Sequence, residues 1–390
     1  MRILILGATG FIGNAVFHSL VAEHDVTIGG RTAIDGYEKW KRVSFSEENN
    51  WDKILDGIDL VINAIGIIDG DFDQIQTTTP LKLFAECTKK NIKIINISAI
   101  GAEKQEPPTK FLKTKKMTDE FVISSAKGKV VYPGIVLGKG AQSTQLFVEL
   151  AALPIIPLLT TKSIPVIHIS QLSKLIVQIV NAYESYPSRI FAVAQPETLQ
   201  EILTAIRGRK AYFINIPPFF LNLLFGIFPK MKVGVFNKDM MKLLSFISSD
   251  DYKPISEKAT AKINSKDLIR SSYIIETLAI FSLSFIWLWS GISSLISWQE
   301  SEGLMNEIGV KAPYDALFIY AGSFVDVILG LAIFSKKIRN KVLVSQILFI
   351  GIYTIILSVF ASHYWLHPFG PLSKNIPLIA LTLYLYGNKK

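Results

Sequence analysis

Three stretches of this chain leave the backbone little choice but helix. Thr277–Ile296 runs for 20 residues without a charge, Val342–Ser362 for 21, and Ala316–Phe334 for 19 interrupted only by Asp326. Each is long enough to cross about 30 Å of hydrocarbon, where a helix satisfies every backbone amide internally. Ile376–Tyr386 is shorter, but Lys374 can snorkel at one end and Lys389–Lys390 can anchor the other, so it reads as a fourth span. An all-α module over residues 271–390 is expected, with spans at about 274–296, 316–334, 342–362 and 375–387.

Loop charge tests that count independently, because cytoplasmic loops are rich in Lys and Arg. Lys258, Lys262, Lys266 and Arg270 precede the first span, Lys336, Lys337, Arg339 and Lys341 separate the second from the third, and Lys389–Lys390 follow the last. The loop Ser297–Asp315 instead carries Glu300, Glu302, Glu307 and Asp315 against Lys311. The pattern predicts a multi-pass cell-membrane protein with both termini in the cytoplasm. The opening MRILILGATGFIG reaches a glycine turn too soon for the apolar core of a signal peptide, in keeping with a cytoplasmic first domain.

Composition narrows the rest. Of 390 residues 49% are hydrophobic and 19% charged, with mean hydropathy +0.35, which excludes a disordered chain. The net charge of +9 lies mainly in residues 1–270, with 33 Lys/Arg against 26 Asp/Glu, compared with 8 against 6 beyond. No basic tract interleaved with aromatics appears, so no nucleic-acid partner is expected, and attraction to the lipid bilayer explains the charge. Cys87 is the single cysteine and reads as a buried packing residue in a reducing compartment. His18, His24, His168, His363 and His367 show no ligand spacing, and no metal is expected.

Residues 1–135 alternate β-branched runs with helical patterns. Strands are expected at Arg2–Leu6, Asp25–Gly29, Arg42–Phe45, Leu60–Ala64, Ile92–Ile97 and Lys129–Tyr132, and helices near Phe11–Glu23, Thr79–Lys90 and Lys110–Ser124. That alternation predicts an α/β fold, a Rossmann doubly wound parallel sheet with helices on both faces. Helical Gln142–Leu153, Gln171–Tyr183 and Glu197–Ile206, with short strands Ile164–Ile167 and Arg189–Val193, would form a small cap lobe over the carboxyl edge. This domain spans 1–247. Its segment 217–246, dense in aromatics beside Lys230, Lys232, Lys238 and Lys242, has two readings, an element on the membrane surface or a buried lobe helix. Polar residues 248–270 read as a linker.

The chemistry begins at Gly7-Ala8-Thr9-Gly10-Phe11-Ile12-Gly13, which follows the first strand directly and opens a helix. Gly7 permits the tight turn, Gly10 removes a side chain where backbone N–H groups would meet a pyrophosphate, and Gly13 lets helix and sheet approach. At the end of the second strand, Ile28-Gly29-Gly30-Arg31 offers no carboxylate for a ribose 2′-hydroxyl, and Arg31 suits a 2′-phosphate. NADP is therefore favoured, with NAD as the alternative.

From these residues on, roughly 1–245 resemble the extended and atypical short-chain dehydrogenase/reductases, especially the branch of the Rossmann-fold accessory subunit of respiratory complex I. The likeness rests on GATGFIG, Asn63-Ala64-Ile65-Gly66, Ile97-Ser98-Ala99-Ile100-Gly101-Ala102, and Tyr132-Pro133-Gly134 with Leu137-Gly138. The resemblance implies that Ala64, Ile65 and Gly66 border the adenosine and ribose and that Pro133 and Gly134 lie near the nicotinamide. It also implies a Ser, a Tyr and a Lys four residues after the Tyr as catalytic groups. Ser98 and Lys115 match, whereas Phe111 stands at the Tyr position and can neither donate nor accept a proton. General acid catalysis contributes about 10²–10⁴-fold, so the usual carbonyl reduction should be crippled. Lys115 is still placed to hold the nicotinamide ribose.

Residues 271–390 resemble the four-helix DoxX-like membrane family through Trp287-Leu288-Trp289-Ser290-Gly291, Asp326 with Gly330, and the segment His367–Lys374. Glu276 and Asp326 should face the bundle interior, as a proton, quinone or lipid-head-group site or as buried structural hydrogen bonds. The reading that results is a membrane-anchored NAD(P)(H)-binding oxidoreductase-like protein acting on a small apolar substrate: a quinone, isoprenoid or lipid. The alternatives are a non-catalytic nucleotide-binding redox sensor or membrane-complex assembly factor, and a bundle that does the chemistry itself. A protein partner is not identified by the sequence.

Overall fold

Seven strands, all paired in parallel, organise the first part of the chain: β1 (Arg2–Leu6), β2 (Asp25–Gly30), β3 (Trp40–Arg42), β4 (Leu60–Asn63), β5 (Lys93–Ile97), β6 (Gly128–Pro133) and β11 (Arg189–Ala192). The computed structural model describes residues 1–153, 155–158, 160–208, 210–217, 242–243, 246–263, 273–368 and 370–387. It divides into two units, Met1–Ser271 and Ser272–Lys390. The strand order is β11-β6-β5-β4-β1-β2-β3, so the chain reverses its direction of travel across the sheet between β1 and β4. Such a switch point opens a crevice at the carboxyl ends of the strands.

The β-branched runs form central strands because both faces are covered. One face packs α1 (Phe11–Leu20) and α6 (Ile169–Asn181) through Val16, Phe17, Leu20, Leu172 and Ile176. The other packs α3 (Thr79–Lys89) and α4 (Lys110–Ser124) through Leu83, Phe84, Leu112 and Val122, with Cys87 buried among them. The sheet and its helices follow the expected doubly wound pattern, with β3 displaced to Trp40–Arg42 from the expected Arg42–Phe45.

Two elements assigned to the cap lobe belong to this main layer instead. Strand β11 pairs with β6, all six residues of which are buried and therefore need a neighbour on their outer side. Helix α6 presents Leu172, Leu175, Ile176, Ile179 and Val180 at helical spacing, a stripe that matches the apolar face of α1. The lobe is built from shorter pieces. Strand β7 (Ile135–Leu137) pairs with β10 (Val166–His168), β8 (Ile155–Leu158) with β13 (Tyr212–Asn215), and β9 (Ser163–Ile164) with β12 (Glu197–Thr198). Helices α5 (Gln142–Ala152) and α7 (Leu199–Arg207) complete it. Most of segment 217–246, including Phe219–Phe228, lies outside the described residues.

The expected linker is also corrected, because residues 246–263 are stitched to the first unit. Ile247, Ser249 and Ala259 are buried. Ile255 N–H donates to the Val193 carbonyl at 2.9 Å and Gln195 N–H to that of Ser256 at 3.1 Å. The Tyr252 hydroxyl donates to Glu103 Oε1 at 2.5 Å, Lys258 pairs with Glu201 at 2.9 Å, and the Thr260 hydroxyl donates to Glu197. Polar composition alone reads as linker; partnered polar groups along the carboxyl edge make it a strap. A bond to a charged acceptor contributes about 1.5–3 kcal/mol, so Tyr252→Phe should lower the stability of this unit by about 2 kcal/mol. An unchanged urea midpoint in the full-length protein would show that the strap bond adds nothing.

In the second unit, among the described residues, the helical segments Glu276–Ile296, Tyr314–Ala332 and Arg339–Phe360 are long and apolar enough to cross a membrane. The last helix, Asn375–Gly387, has 13 residues and a length of about 20 Å, which falls short of the hydrocarbon thickness. Among the described residues three of the four expected spans are thus long helices, and the fourth coincides with this short one. A further helix, Trp298–Glu307, with no buried residue, occupies the acidic loop. Small residues bring the first two long helices together: a Cβ on Gly291 would stand 2.7 Å from the Ser323 carbonyl oxygen, and one on Gly330 2.9 Å from Leu288 Cγ. Leu278, Phe281, Phe285, Trp289, Ile292 and Ile296 form an exposed apolar stripe, as a lipid-facing surface requires. Glu276 pairs with Arg339 at 3.7 Å, which gives this acid a structural partner at the helix ends. Asp326 lies half-buried beside Ser290.

Candidate functional site

The crevice is lined first by the turn after β1. Gly7 has φ of +82°, a conformation that costs glycine nothing, and its amide plane lies so close to the loop after β4 that a Cβ would sit 3.0 Å from the Ala64 carbonyl oxygen. A Cβ on Gly13 would stand 2.1 Å from the Gly7 carbonyl oxygen, so this residue lets α1 close down on the turn. Gly10 differs. It is exposed, and among the described residues a Cβ there meets only Gly7 O within 4 Å, at 3.2 Å. Gly10 is also the N-cap of α1 and offers no side chain to cap the first-turn amides. Thr9 is exposed beside it, and Phe11 and Ile12 are half-buried, the Phe11 ring lying under the loop at Gly138.

Arg31 stands exposed just past the end of β2. Gly134 has a packing reason of its own, since a Cβ there would meet the Pro165 carbonyl oxygen at 2.5 Å; Pro133 is buried as the last residue of β6.

Lys115 reaches the crevice from α4. Thr109 caps that helix by accepting from Leu112 N–H at 3.3 Å, which sets the register that turns Leu112, Lys115, Asp119 and Val122 inward. The Lys115 side chain is only 4% exposed and its ammonium donates to the carbonyls of Ile65 at 3.1 Å and Ile97 at 3.0 Å, tying together the ends of β4 and β5. Gly66 faces it, with a built Cβ 3.5 Å from Lys115 Nζ. Burial lowers the Lys115 pKa to about 8 despite the opposing pull of Asp119.

Asp119, four residues on and 1% exposed, went unmarked in the sequence. It accepts from Asn96 Nδ2 at 2.8 Å on Oδ1 and from the Ser98 hydroxyl at 2.5 Å on Oδ2. Asn96 in turn accepts from Asn63 Nδ2 at 2.8 Å, the two amides lying side by side because β4 and β5 pair Asn63 with Asn96. Burial pushes the Asp119 carboxyl up to about 7, against the stabilising bonds from Ser98 and Asn96 and the charge of Lys115. Tyr132 on β6 is buried nearby, and desolvation together with Asp119 raises its pKa. The only sequence signal for Asp119 was its i+4 spacing from Lys115 on one helix face.

The structure thus gathers the glycine turn, Ala64–Gly66, Ser98 and Lys115 at one switch point. Phe111, one turn before Lys115, is half-buried and packs edge-on against Phe72 with centroids 6.4 Å apart. The open face at Gly10, the uncapped α1 amides and the Lys115 ammonium fit a dinucleotide, which is bound by backbone donors and a cation rather than by shape alone.

Fold and crevice together define a Rossmann-type nucleotide-binding domain followed by a membrane-type helical module. Residues 3–121 match the NAD dependent epimerase/dehydratase family, and residues 284–383 match the DoxX-like family. The chain thus carries an NAD-dependent epimerase/dehydratase-type domain at its N-terminus and a DoxX-like domain at its C-terminus. Among curated proteins no match is found. Among solved structures, a nucleoside-diphosphate-sugar epimerase from Staphylococcus aureus is 15% identical, with 68% of this chain and 94% of that one covered and a TM-score of 0.51. UDP-N-acetylglucosamine 4-epimerase from Bacillus cereus is 16% identical, with 55% and 87% covered and a TM-score of 0.46. At these identities the likeness is one of fold.

Proposed function

We propose that the protein is a membrane-anchored, nicotinamide-nucleotide-dependent reductase whose substrate is an apolar carbonyl compound drawn from the bilayer, of the quinone, isoprenoid or lipid class. One juxtaposition carries the reading: uncapped α1 amides over an open Gly10 share a crevice with the buried Lys115 ammonium. A bound nicotinamide would supply hydride chemistry. The first-turn amides and Gly10 would take its pyrophosphate, Ala64–Gly66 its adenosine side, and Lys115 a ribose hydroxyl. Arg31, exposed past β2 with no carboxylate at that strand end, supports NADPH over NADH. The apolar substrate class is supported by the DoxX-like module and its lipid-facing stripe. The distribution of Lys and Arg among the loops supports a cytoplasmic crevice.

Titrating the purified protein with NADPH and NADH, read by tryptophan fluorescence, tests this. Wild type should bind NADPH more tightly, Gly10→Asp should bind neither, and Arg31→Ala should lose about tenfold in NADPH affinity, about 1.4 kcal/mol, with NADH unchanged. Equal binding of both nucleotides by wild type and Gly10→Asp would remove the nucleotide from this crevice.

A non-catalytic nucleotide sensor or assembly factor is the second reading, favoured by the Phe111 ring packed against Phe72 where the related enzymes would carry a hydroxyl. Nucleotide binding without turnover of any carbonyl compound is its signature.

A further inference from the structure

Asp119 and Ser98 together hold what Phe111 lacks. We propose, resting on the reductase reading above, that they form a two-member proton relay: Ser98 presents its hydroxyl to the substrate carbonyl and Asp119 resupplies the proton.

The hydrogen-bond directions support it. The Ile65 backbone N–H donates to Asn63 Oδ1 at 3.3 Å, which orients the Asn63 amide; Asn63 Nδ2 then orients Asn96, and Asn96 Nδ2 donates to Asp119 Oδ1. A chain of donors anchored on a backbone amide therefore makes Oδ1 an acceptor, so Oδ2 is the oxygen that carries a proton. Oδ2 is the one 2.5 Å from Ser98 Oγ. When Asp119 is ionised, Ser98 must donate to it and its single O–H is committed. When Asp119 is protonated the bond reverses, Ser98 accepts, and its own O–H turns free for a ligand. Ser98, 6% exposed, is the first residue past β5, at the carboxyl end of the sheet where the switch-point crevice opens.

Groups facing Asp119 are Lys115 on its own helix, Asn96 and Ser98 on or beside β5, Glu103 in the loop that follows and Tyr132 on β6. Burial, with a smaller contribution from Glu103, favours the neutral form, and the Ser98 bond, the Lys115 charge and the Asn96 bond favour the ionised one, which brings the exchange to about pH 7. In a carbonyl reduction the carbonyl carbon gains the hydride of a reduced nicotinamide, which is left oxidised, and the carbonyl oxygen gains the Ser98 proton. Ser98 recovers a proton from Asp119 Oδ2, and Asp119 ends as a carboxylate facing the Lys115 ammonium, to be reprotonated from water.

The test uses full-length protein in micelles, with NADPH and 9,10-phenanthrenequinone as the probe carbonyl. Infrared difference spectra should show a carboxylic-acid band at pH 6 that is lost by pH 9 and is missing from Asp119→Asn. NADPH oxidation should fall about tenfold per pH unit above neutrality. Asp119→Asn and Ser98→Ala should each lower the pH 6 rate by about 10²-fold and flatten the profile, with NADPH affinity within twofold of wild type. Should Asp119→Asn fail to fold, Ser98→Ala carries the test alone, since it should keep the infrared band yet lose the pH dependence. NADPH binding with an unaltered profile in the folded variants, or without oxidation of NADPH by the probe at any pH from 6 to 9, overturns the relay and leaves nucleotide binding standing. No NADPH binding by wild type overturns the reductase reading and the relay with it.

Discussion

Gly13→Ala should destabilise the N-terminal unit by about 3 kcal/mol, while Gly36→Ala costs about 1 kcal/mol. A Cβ on Gly13 would lie 2.1 Å from the Gly7 carbonyl oxygen, 2.6 Å from its carbon and 3.0 Å from Ala8 N, all backbone atoms of the turn that the helix seals. No rotamer relieves such a contact, so α1 would have to lift from β1 and expose Val16, Phe17 and Leu20. Gly36 has a positive φ of 77° but no atom of the described residues within 4 Å of a built Cβ, so only the conformational penalty applies there. Urea unfolding of the full-length protein, read by proteolysis of the N-terminal unit, compares the two. Equal midpoints would mean that close approach at Gly13 is not what holds the turn.

The second large effect is a pH dependence of stability. The Asp119 carboxyl, near 4 in an unfolded chain, is pushed up to about 7 in the folded one, so between these values the native state holds a proton the unfolded state has released. Stability contributed by this group is complete below pH 4 and lost as pH rises through 7. Lys115 runs in the other direction: lowered to about 8, it holds its proton less tightly than in the unfolded chain, and stability returns as pH rises from 8 toward 10.5. The pair thus places its least favourable point near pH 7–8. Asp119→Asn should remove a fall on the order of 3 kcal/mol between pH 4 and pH 7. Urea midpoints at pH 4.5 and 7.5 for both proteins measure it, and parallel lines would show that Asp119 keeps an ordinary carboxylate pKa. Asn keeps the shape of Asp, whereas Ala would leave the Ser98 hydroxyl and Asn96 Nδ2 without their buried acceptor.

Much of the fold was legible because it is written in periodicity. Six of the seven sheet strands and helices α1, α3 and α4 coincide with expected segments to within a few residues, since a two-sided sheet selects short β-branched runs and its covering helices select an apolar stripe. Arg189–Ala192 and Ile169–Asn181 were readable as strand and helix, but not as members of the main layer. Both come late in the chain, and which sheet edge or helix face receives them depends on contacts with β6 and α1 that no local pattern records. The strap over 246–263 was missed for a related reason, because a polar residue with a partner, such as Tyr252 on Glu103, has the same composition as one in solvent.

Sequence alone determined the presence of a nucleotide-type glycine turn, the absence of a tyrosine at Phe111, and three helices suited to a bilayer. These are properties of residue identity and spacing, and survive any packing. Tertiary structure decided that Lys115 would be buried between two carbonyls and that Asp119 would lie under Ser98. Those facts rest on desolvation, which exists only once α4, β5 and β6 enclose the groups, and it is desolvation that brings an ordinary lysine and an ordinary aspartate to titrate within about one pH unit of each other.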